Sequence, residues 1–255
     1  MTRRRFFAPP TAFDFGEKTV ILSADEARHA RNVLRLRAGD EIYVFDGAGK
    51  EFCCALREFV RNVAILDLKE EVEPARPDSS LDLTLAIALL KGEKFDLAIQ
   101  KTVELGVRRI VPLISERADV HLSDKVEQAR VNRWRRIALE AAKQCGRACI
   151  PEVAVPASVE SFLAKSSETK TGSVARLFFG ERGGKSLSDV MQGSTEHPTE
   201  ILAVVGPEGG WSDGEIERAR DAGWKVVTLG GRTLRAETAA IIIVALLQHR
   251  FGDLN

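Results

Sequence analysis

Short runs of consecutive apolar residues constrain the fold of the C-terminal two thirds of the chain more than any other feature. They occur at 83–90, 109–114, 177–180, 201–206 and 225–229. Strands that are apolar on both faces are typical of a buried parallel sheet. Segments with a helical pattern lie between the runs, at 94–105, 130–145, 213–222 and 236–250. This alternation predicts an α/β domain with a sheet of about five strands.

The N-terminal part of the chain has a different pattern. Three runs rich in β-branched and aromatic residues occur there, at 41–46, 51–59 and 63–68. A glycine-containing turn at 47–49 follows the first run, which predicts a hairpin and then a third strand. A helix is predicted at 23–35, because Ser23 and Glu26 have the spacing of a capping box. This part is too short for a doubly wound sheet, so we expect a small β-rich barrel.

The boundary between these two parts is marked by composition. The sequence EEVEPARPDSS, at 70–80, combines charged residues, prolines and serines, as linkers between domains do. We therefore predict a first domain at 1–72, a linker at 73–80 and a second domain at 81–255.

Basic residues are concentrated in two regions although the formal net charge is zero. Residues 1–37 contain eight basic and four acidic side chains, and residues 125–147 contain seven basic and two acidic ones. Such regions can bind phosphates while the whole molecule stays neutral. Ordinary solvated surfaces have the same composition, so charge alone does not decide between the two interpretations.

The sequence also indicates where the protein works. No apolar run has the length of a transmembrane helix, and no apolar core follows the arginines at the N-terminus. The four cysteines suit free thiols, and neither their spacing nor a nearby histidine suggests a zinc site. We expect a cytoplasmic protein without a membrane segment or a metal.

Two glycine-rich loops are the most informative feature for function. The apolar run at 201–206 leads into Gly-Pro-Glu-Gly-Gly, and then into a helix with a predicted capping box between Ser212 and Glu215. The next apolar run leads into a second such loop, LGGRTLRAE at 229–237. Glycines let the backbone approach a ligand, and ligands bind at this edge of open α/β sheets. Both loops are expected side by side, and neither has the pattern of a P-loop or a dinucleotide fingerprint.

Several blocks of the sequence resemble one enzyme family, and they follow one another in the same order as in that family. GPEGGWSDGEI and LGGRTLRAETAA resemble the ribosomal small-subunit RNA uridine-N3 methyltransferases of the SPOUT superfamily. The resemblance continues through RRFFAPP, HARNVLRLRAGDEIYVFDGAGKEF, LLKGEKFDLAIQKTVELGVRRIVPLISERA and EAAKQCGRACIPEV. These blocks span nearly the whole chain, so the match is specific.

This resemblance implies both a fold and a reaction. The fold would be a PUA-like β-barrel followed by an α/β SPOUT domain with a deep C-terminal trefoil knot, in a homodimer. The reaction would be methylation of N3 of a uridine in 16S ribosomal RNA, with S-adenosyl-L-methionine as cofactor. The residues that the family pattern implies for cofactor binding are Phe179, Gly180, Val205, Gly206, Pro207, Glu208, Gly209, Gly210, Leu229, Gly230 and Leu234.

The chemistry of uridine N3 suggests what the catalytic residues do. N3 is a weakly acidic imide nitrogen that must lose its proton before it can attack a methyl group. A guanidinium would stabilise the resulting anion, and Arg235 in the matched segment is the candidate. Glu181 or Glu237 could accept the proton.

The RNA contacts are predicted from the two basic regions. In the first domain the candidates are Arg4, Arg5, His29, Arg31 and Arg35. In the second basic region they are Arg133, Arg136, Lys143 and Arg147, whose spacing puts them on one side of a helix. Trp134 falls on the opposite, apolar side, so we expect it in the core and not in a stacking surface.

Two other functions stay open from the sequence. The protein could be another SPOUT enzyme that methylates transfer RNA or a ribose 2′-hydroxyl, because fold does not determine substrate. It could also be a non-catalytic RNA-binding assembly factor, although the intact GPEGG and LRAETA segments argue against this.

Overall fold

The computed structural model describes residues 3–118, 124–167, 173–192 and 198–254. The chain forms two compact units. The first comprises 1–78 together with 142–150, and the second comprises 79–141 and 151–255. Composition gives no sign that 142–150 belongs with the N-terminal part of the chain.

The first unit is built on a six-stranded sheet. Its strands are β1 (Arg5–Phe7), β2 (Phe13–Asp14), β3 (Thr19–Leu22), β4 (Glu41–Phe45), β5 (Glu51–Val60) and β6 (Val63–Val72). They are arranged in the order β1-β4-β5-β6-β3-β2. The predicted hairpin is confirmed as the antiparallel pair β4 and β5, and β6 pairs antiparallel with β5 as the third strand. The prediction missed β1, β2 and β3, which have four residues or fewer.

One apolar core holds this sheet together. Phe6 in β1, Val20 in β3, Ile42 in β4 and Leu66 in β6 are all fully buried in a single cluster. Because β1 and β3 lie far apart in the strand order, the sheet must curl for both to reach the same core. Burying one such side chain contributes roughly 1.5–3 kcal/mol.

The predicted helix at 23–35 is shorter and less regular than expected. Helix α1 (Ala24–Arg28) is capped by the Ser23 hydroxyl, and a π-helical turn (His29–Val33) follows it. The Glu26 carboxylate does not complete the capping box, because it pairs with Lys143, which lies in the same unit.

The second unit contains a parallel sheet. Its strands are β7 (Asp82–Ala88), β8 (Arg109–Ile114), β9 (Glu152–Val153), β10 (Ala157–Ser158), β11 (Val174–Phe179), β12 (Glu200–Val205) and β13 (Lys225–Val227). The order is β10-β8-β7-β12-β11-β13, and β9 also pairs with β8. All pairings in this sheet are parallel, which confirms the predicted α/β class. The five predicted strands are present, and the two-residue strands β9 and β10 were missed.

Helices follow the strands of this unit. They are α2 (Lys94–Glu104), α3 (Asp124–Cys145), α4 (Val159–Ser167), α5 (Leu187–Gln192), α6 (Asp213–Asp221) and α7 (Ala236–Phe251). The last four residues of α3 are counted with the first unit. The four predicted helices are confirmed, while α4 and α5 were not predicted. Within the described ranges, the structure has no helix that combines the length and the apolar character needed to span a membrane.

Helix α7 differs from its prediction in one respect. Its sequence is apolar on nearly every side, and this pattern predicts a helix that is buried all round. Ala240, Ile243 and Val244 are buried, but Ile242 and Leu246 on another side remain exposed. The α/β core therefore covers only part of this helix.

Candidate functional site

The site begins where three parallel strands of the second unit end at the same level. Phe179 at the end of β11 lies beside Val205 of β12 on one side and Val227 of β13 on the other. The two glycine-rich loops leave the same edge of the sheet and line one cavity, as predicted, but they are not adjacent, because β11 lies between β12 and β13. Three loops, at 180–186, 206–212 and 228–235, therefore leave the sheet together.

Hydrogen bonds hold these three loops together. The buried Trp211 indole donates its Nε1 hydrogen to the carbonyl oxygen of Phe179 at 2.9 Å. The amide of Gly180 donates to the carbonyl oxygen of Val227 at 2.9 Å, and that of Gly184 donates to the Thr228 hydroxyl at 3.2 Å. One such bond contributes a net ~0.5–1.5 kcal/mol, and losing one partner of a buried bond costs more. Backbone groups and the side chains of Trp211 and Thr228 thus bind the loops to one another.

Two glycines are required by close packing in these loops. A Cβ atom at Gly206 would lie 2.9 Å from the Trp211 Nε1, and one at Gly184 would lie 2.6 Å from the Val227 carbonyl carbon. Gly210, with a φ of +68°, adopts the left-handed conformation that favours glycine. The packing of the loops therefore leaves no room for a side chain at Gly206 or Gly184.

Helix α6 fixes the far end of the loop at 206–212. The predicted capping box is confirmed, with the Ser212 hydroxyl and the Glu215 carboxylate each accepting the other's amide hydrogen. The buried Glu215 carboxylate also accepts the amide hydrogen of Glu116 at 3.1 Å, which connects the segment after β8 to this loop. Hydrogen bonds from Ser212 and Arg218 hold the pKa of the Glu116 carboxyl below its ordinary value.

The three loops enclose one side of a cavity of about 560 Å³. This volume lies within the range of roughly 300–1,000 Å³ that small-molecule sites occupy. Almost all of the residues predicted to contact a cofactor line it: Phe179, Gly180, Val205, Gly206, Pro207, Glu208, Gly210, Leu229, Gly230 and Leu234. Gly209 does not, and lines a smaller neighbouring cavity of about 180 Å³.

Two of the three predicted catalytic residues lie at the cavity and one does not. Arg235 and Glu181 line the cavity, and both are exposed to solvent. Arg235 precedes the first residue of α7, and its guanidinium has no hydrogen-bond partner among the described residues. Glu237 is not among the lining residues, and its side chain is buried. One Glu237 carboxylate oxygen, Oε2, has no partner within the described part of the chain.

Sequence reasoning missed several residues of this cavity. Lys94 at the start of α2 lines it and pairs with Glu208. These two residues are separated by more than a hundred positions, so no local pattern could have joined them. Trp211 directly follows the Gly-Pro-Glu-Gly-Gly segment. A large side chain next to those glycines was the feature of the sequence that could have marked it as part of the cavity wall.

Family models match most of the chain. A model described as an RNA methyltransferase domain matches residues 77–248, and one described as an RNA methyltransferase PUA domain matches residues 22–58. The chain belongs to the RNA methyltransferase family.

Similar proteins and solved structures agree with this assignment. The ribosomal RNA small subunit methyltransferase E of Synechocystis is 35% identical over 229 residues, which are 90% of this chain and 72% of that protein. The protein of the same name from Bacillus subtilis is 29% identical and covers 97% of this chain and 96% of its own.

Two of the similar structures contain a bound ligand. A Legionella pneumophila methyltransferase with bound SAM is 31% identical, with a TM-score of 0.87 and 100% of both chains covered. A ribosomal RNA small subunit methyltransferase E from Neisseria gonorrhoeae, bound to S-adenosyl methionine, is 33% identical, with a TM-score of 0.86 and the same coverage. The predicted fold class, a PUA-like domain before an α/β SPOUT methyltransferase domain, is confirmed. The trefoil knot within it stays a prediction.

Two of the arginines predicted to bind RNA are buried and not on the surface. The Arg5 side chain is buried and donates both to the Glu51 carboxylate and to the carbonyl oxygen of Arg147. The Arg147 side chain is buried in turn and pairs with Asp78. Both guanidinium groups are therefore used inside the first unit, which removes these arginines from the exposed basic surface.

The other predicted RNA contacts are exposed. Arg4, His29 and Arg35 lie on the surface of the first unit, and the Arg31 guanidinium lies 4.5 Å above the Phe59 ring. On α3 of the second unit the side chains of Arg133 and Arg136 face solvent, although Arg133 pairs with Asp96.

The prediction for Trp134 is confirmed. Its side chain is buried, and its ring lies 4.6 Å from that of Phe95. Helix α3 therefore separates an apolar face from a basic one.

Proposed function

We propose that this protein uses S-adenosylmethionine to methylate N3 of a uridine in 16S ribosomal RNA. The observation that carries the proposal is the cavity at the ends of β11, β12 and β13, which is lined by Arg235 together with glycine-rich loops. The relatives named as small-subunit methyltransferases and the two SAM-bound structures support the choice of cofactor and of ribosomal RNA.

The residues present fit S-adenosylmethionine. Most of the cavity wall is glycine, aliphatic side chain and loop backbone, which suits an adenine ring that is recognised through main-chain hydrogen bonds. Gly206 and Gly210 keep that backbone free of side chains. When bound, the cofactor supplies an electrophilic methyl group attached to a sulfonium.

Arg235 would act on the uridine. The imide proton has to leave N3 before the nitrogen can form a bond to carbon, and negative charge then spreads to O2 and O4. A guanidinium beside these oxygens stabilises that charge, and Arg235 has no competing carboxylate partner in the described part of the chain. Its position at the start of α7 holds it beside the cavity.

Glu181 is the better candidate for the proton acceptor. It lines the cavity, whereas Glu237 is buried outside the lining. A carboxylate that accepts the imide proton must lie within hydrogen-bond reach of it or act through one water molecule. Holding N3 in line with the methyl group would contribute to the rate as well.

The substrate base must be accessible before this chemistry can occur. N3 of a paired uridine is hidden inside the helix, so the target is either unpaired or flipped out. We propose that exposed cations hold the surrounding RNA: Arg4, His29, Arg31 and Arg35 in the first unit, and Arg133 and Arg136 on α3.

We also propose that the protein forms a homodimer and is located in the cytoplasm. Ile242 and Leu246 lie one helical turn apart on α7 and are exposed, as is Leu97 on α2. In a homodimer, the second copy of the chain would cover these apolar side chains.

Arg235→Ala tests the proposed chemistry. Loss of a group that stabilises developing charge typically lowers kcat about 10²–10³-fold, so methyl transfer from tritiated cofactor to 16S RNA should fall by that amount. The Kd for S-adenosylmethionine should stay nearly unchanged. Arg250→Ala, at an exposed arginine near the other end of α7, is the matched control. Turnover retained in Arg235→Ala would reject the role.

Nucleoside mass spectrometry of the product identifies the methylated atom. We expect 3-methyluridine in 16S RNA. A 2′-O-methylated nucleoside, or a product found only in transfer RNA, would instead support a different SPOUT enzyme. No transfer to any RNA would support a non-catalytic assembly factor.

A further inference from the structure

The first unit contains a cavity of its own, of about 270 Å³. It lies between α1, the π-helical turn and the turn that connects β5 to β6. Arg31 and Asn32 from the π-helical turn and Asn62 from the β5–β6 turn line it, next to Asp25 and Arg28 of α1. We call it the turn cavity. Its volume is below the range of about 300–1,000 Å³ for drug-sized ligands, so it suits a single planar ring.

Two amide side chains face this space without an evident structural task. Asn32 and Asn62 are exposed, and neither side chain has a hydrogen-bond partner among the residues that the structure describes. Asparagine in a tight turn often serves to adopt a positive φ. Here the neighbouring Arg61 takes that conformation, with a φ of +51°. The conformation of this turn therefore does not account for the choice of asparagine at Asn62.

Arg31 supplies a planar group beside these amides. Its guanidinium lies 4.5 Å from the centre of the Phe59 ring and donates to the carbonyl oxygen of Arg61 at 3.4 Å. These contacts restrict the orientation of the guanidinium plane. Unpaired RNA bases stack on arginine planes, while amide groups bind their Watson–Crick or Hoogsteen edges.

The polar groups of the turn cavity suit the edge and the face of a base. Arg28 already pairs with Asp25, and the Asp25 carboxylate lines the cavity, where it would repel a phosphate group. An asparagine amide carries both donors and an acceptor, as the edge of a nucleobase does.

We propose that the turn cavity binds one unpaired nucleobase of the RNA substrate, with Asn32 and Asn62 bound to the edge of the base and Arg31 stacked on its face. The inference rests on the proposed function, since it assumes that RNA is the substrate. It assigns base recognition to residues of the first unit, whereas the residues proposed for methyl transfer belong to the second unit.

Short RNAs that carry a single base test this directly. Four fluorescent heptaribonucleotides, each with U, C, A or G at the centre of abasic residues, are titrated with the full chain and compared with an all-abasic heptamer. Fluorescence anisotropy should show that at least one base-bearing probe binds about fivefold or more tightly than the abasic one, as expected for two well-placed hydrogen bonds to a base. The double variant Asn32→Ala/Asn62→Ala should remove this difference.

Controls separate a lost base contact from a lost fold. Gln100→Ala removes an exposed amide from α2 and should leave the preference intact. Arg31→Ala should weaken every base-bearing probe, because stacking does not depend on which base is present. Equal binding of all probes by the unmodified protein, or an unchanged preference in the double variant, would overturn the inference.

Methyl transfer distinguishes this inference from the proposed function. If the function is right, the double variant should keep its kcat and its Kd for S-adenosylmethionine, while its KM for 16S RNA rises about fivefold or more, in line with the lost base contacts. An unchanged KM would overturn the inference alone. A protein that methylates no RNA at all would contradict the proposed function, whatever the short probes show.

Discussion

The two units use charged side chains in opposite ways. Inside the first unit, the fully buried Glu51 carboxylate accepts hydrogen bonds from Arg3 and Arg5, and Arg147 pairs with Asp78. At the cavity of the second unit, Arg235 and Glu181 are exposed, and the loops beside them are joined by backbone groups, one indole and one hydroxyl. Buried ion pairs stabilise the first unit, whereas the charged side chains at the cavity of the second unit remain available for a ligand.

This difference follows from the cost of burying charge. A buried ion pair is stable only when its geometry is good and its remaining atoms are hydrogen-bonded, and breaking it leaves an uncompensated charge. The Glu51 carboxylate meets that condition, because it also accepts the amide hydrogen of Ala75. A catalytic arginine needs the reverse arrangement, in which its partner arrives with the substrate.

The largest expected effect is in the first unit. Glu51→Gln should lower the free energy of unfolding by about 3–5 kcal/mol, because two arginines then lose their buried counter-charge. Chemical denaturation followed by circular dichroism measures this. Asp67→Asn is the control, since it disrupts the exposed pair with Arg57 and should cost at most about 1 kcal/mol. Equal losses in both variants would remove the contrast between the units.

Gly206→Ala should have the next largest effect, and in the second unit. The new methyl group would lie 2.9 Å from the buried Trp211 Nε1, and overpacking of this kind costs about 1–3 kcal/mol. Each 1.4 kcal/mol that falls on the bound state weakens binding about tenfold. We therefore expect calorimetry to show a Kd for S-adenosylmethionine raised about tenfold or more.

Gly214→Ala is the matched control for that change. Its new methyl group would meet only the flexible end of Arg218, at 3.4 Å, so affinity and stability should change little. If Gly206→Ala binds as tightly as Gly214→Ala does, the loop at 206–212 is not a close wall of the ligand site.

The smallest expected effect concerns pH. Hydrogen bonds from Ser212 and Arg218 hold the pKa of Glu116 below its ordinary value of 4.5. A carboxyl with a lowered pKa in the folded state stabilises the protein above its unfolded pKa, and this contribution is lost as the pH falls through the folded pKa. Glu116→Gln should therefore lower the thermal midpoint slightly near neutral pH, and the two midpoints should converge in acid. A difference in thermal midpoint that stays constant at all pH values would show that ionisation of the Glu116 carboxyl does not stabilise the protein.

Local patterns in the sequence predicted the parts of the fold that local interactions determine. Helix α6 was predicted to within a residue, because its capping box is encoded by Ser212 and Glu215 alone. The hairpin of β4 and β5 was found for the same reason, from a glycine turn between two β-rich runs. Most of the cavity lining followed from the two glycine-rich segments and the family resemblance.

Long-range contacts explain what the sequence could not predict. The position of β11 between β12 and β13 depends on pairings between distant segments, so the sequence did not predict that the loop after β11 lies between the two glycine-rich loops. Burial of Arg5 and Arg147 depends on Glu51 and Asp78, which are distant in sequence. A basic side chain looks the same in a sequence whether it is solvated or buried with a partner.

Hydrogen exchange with and without S-adenosylmethionine tests the central claim most directly, because it reports which backbone amides a ligand protects. The full chain should bind the cofactor, and the protected amides should lie in the three loops at 180–186, 206–212 and 228–235. Failure to bind, or binding that leaves these loops unprotected while other segments slow down, would contradict the account.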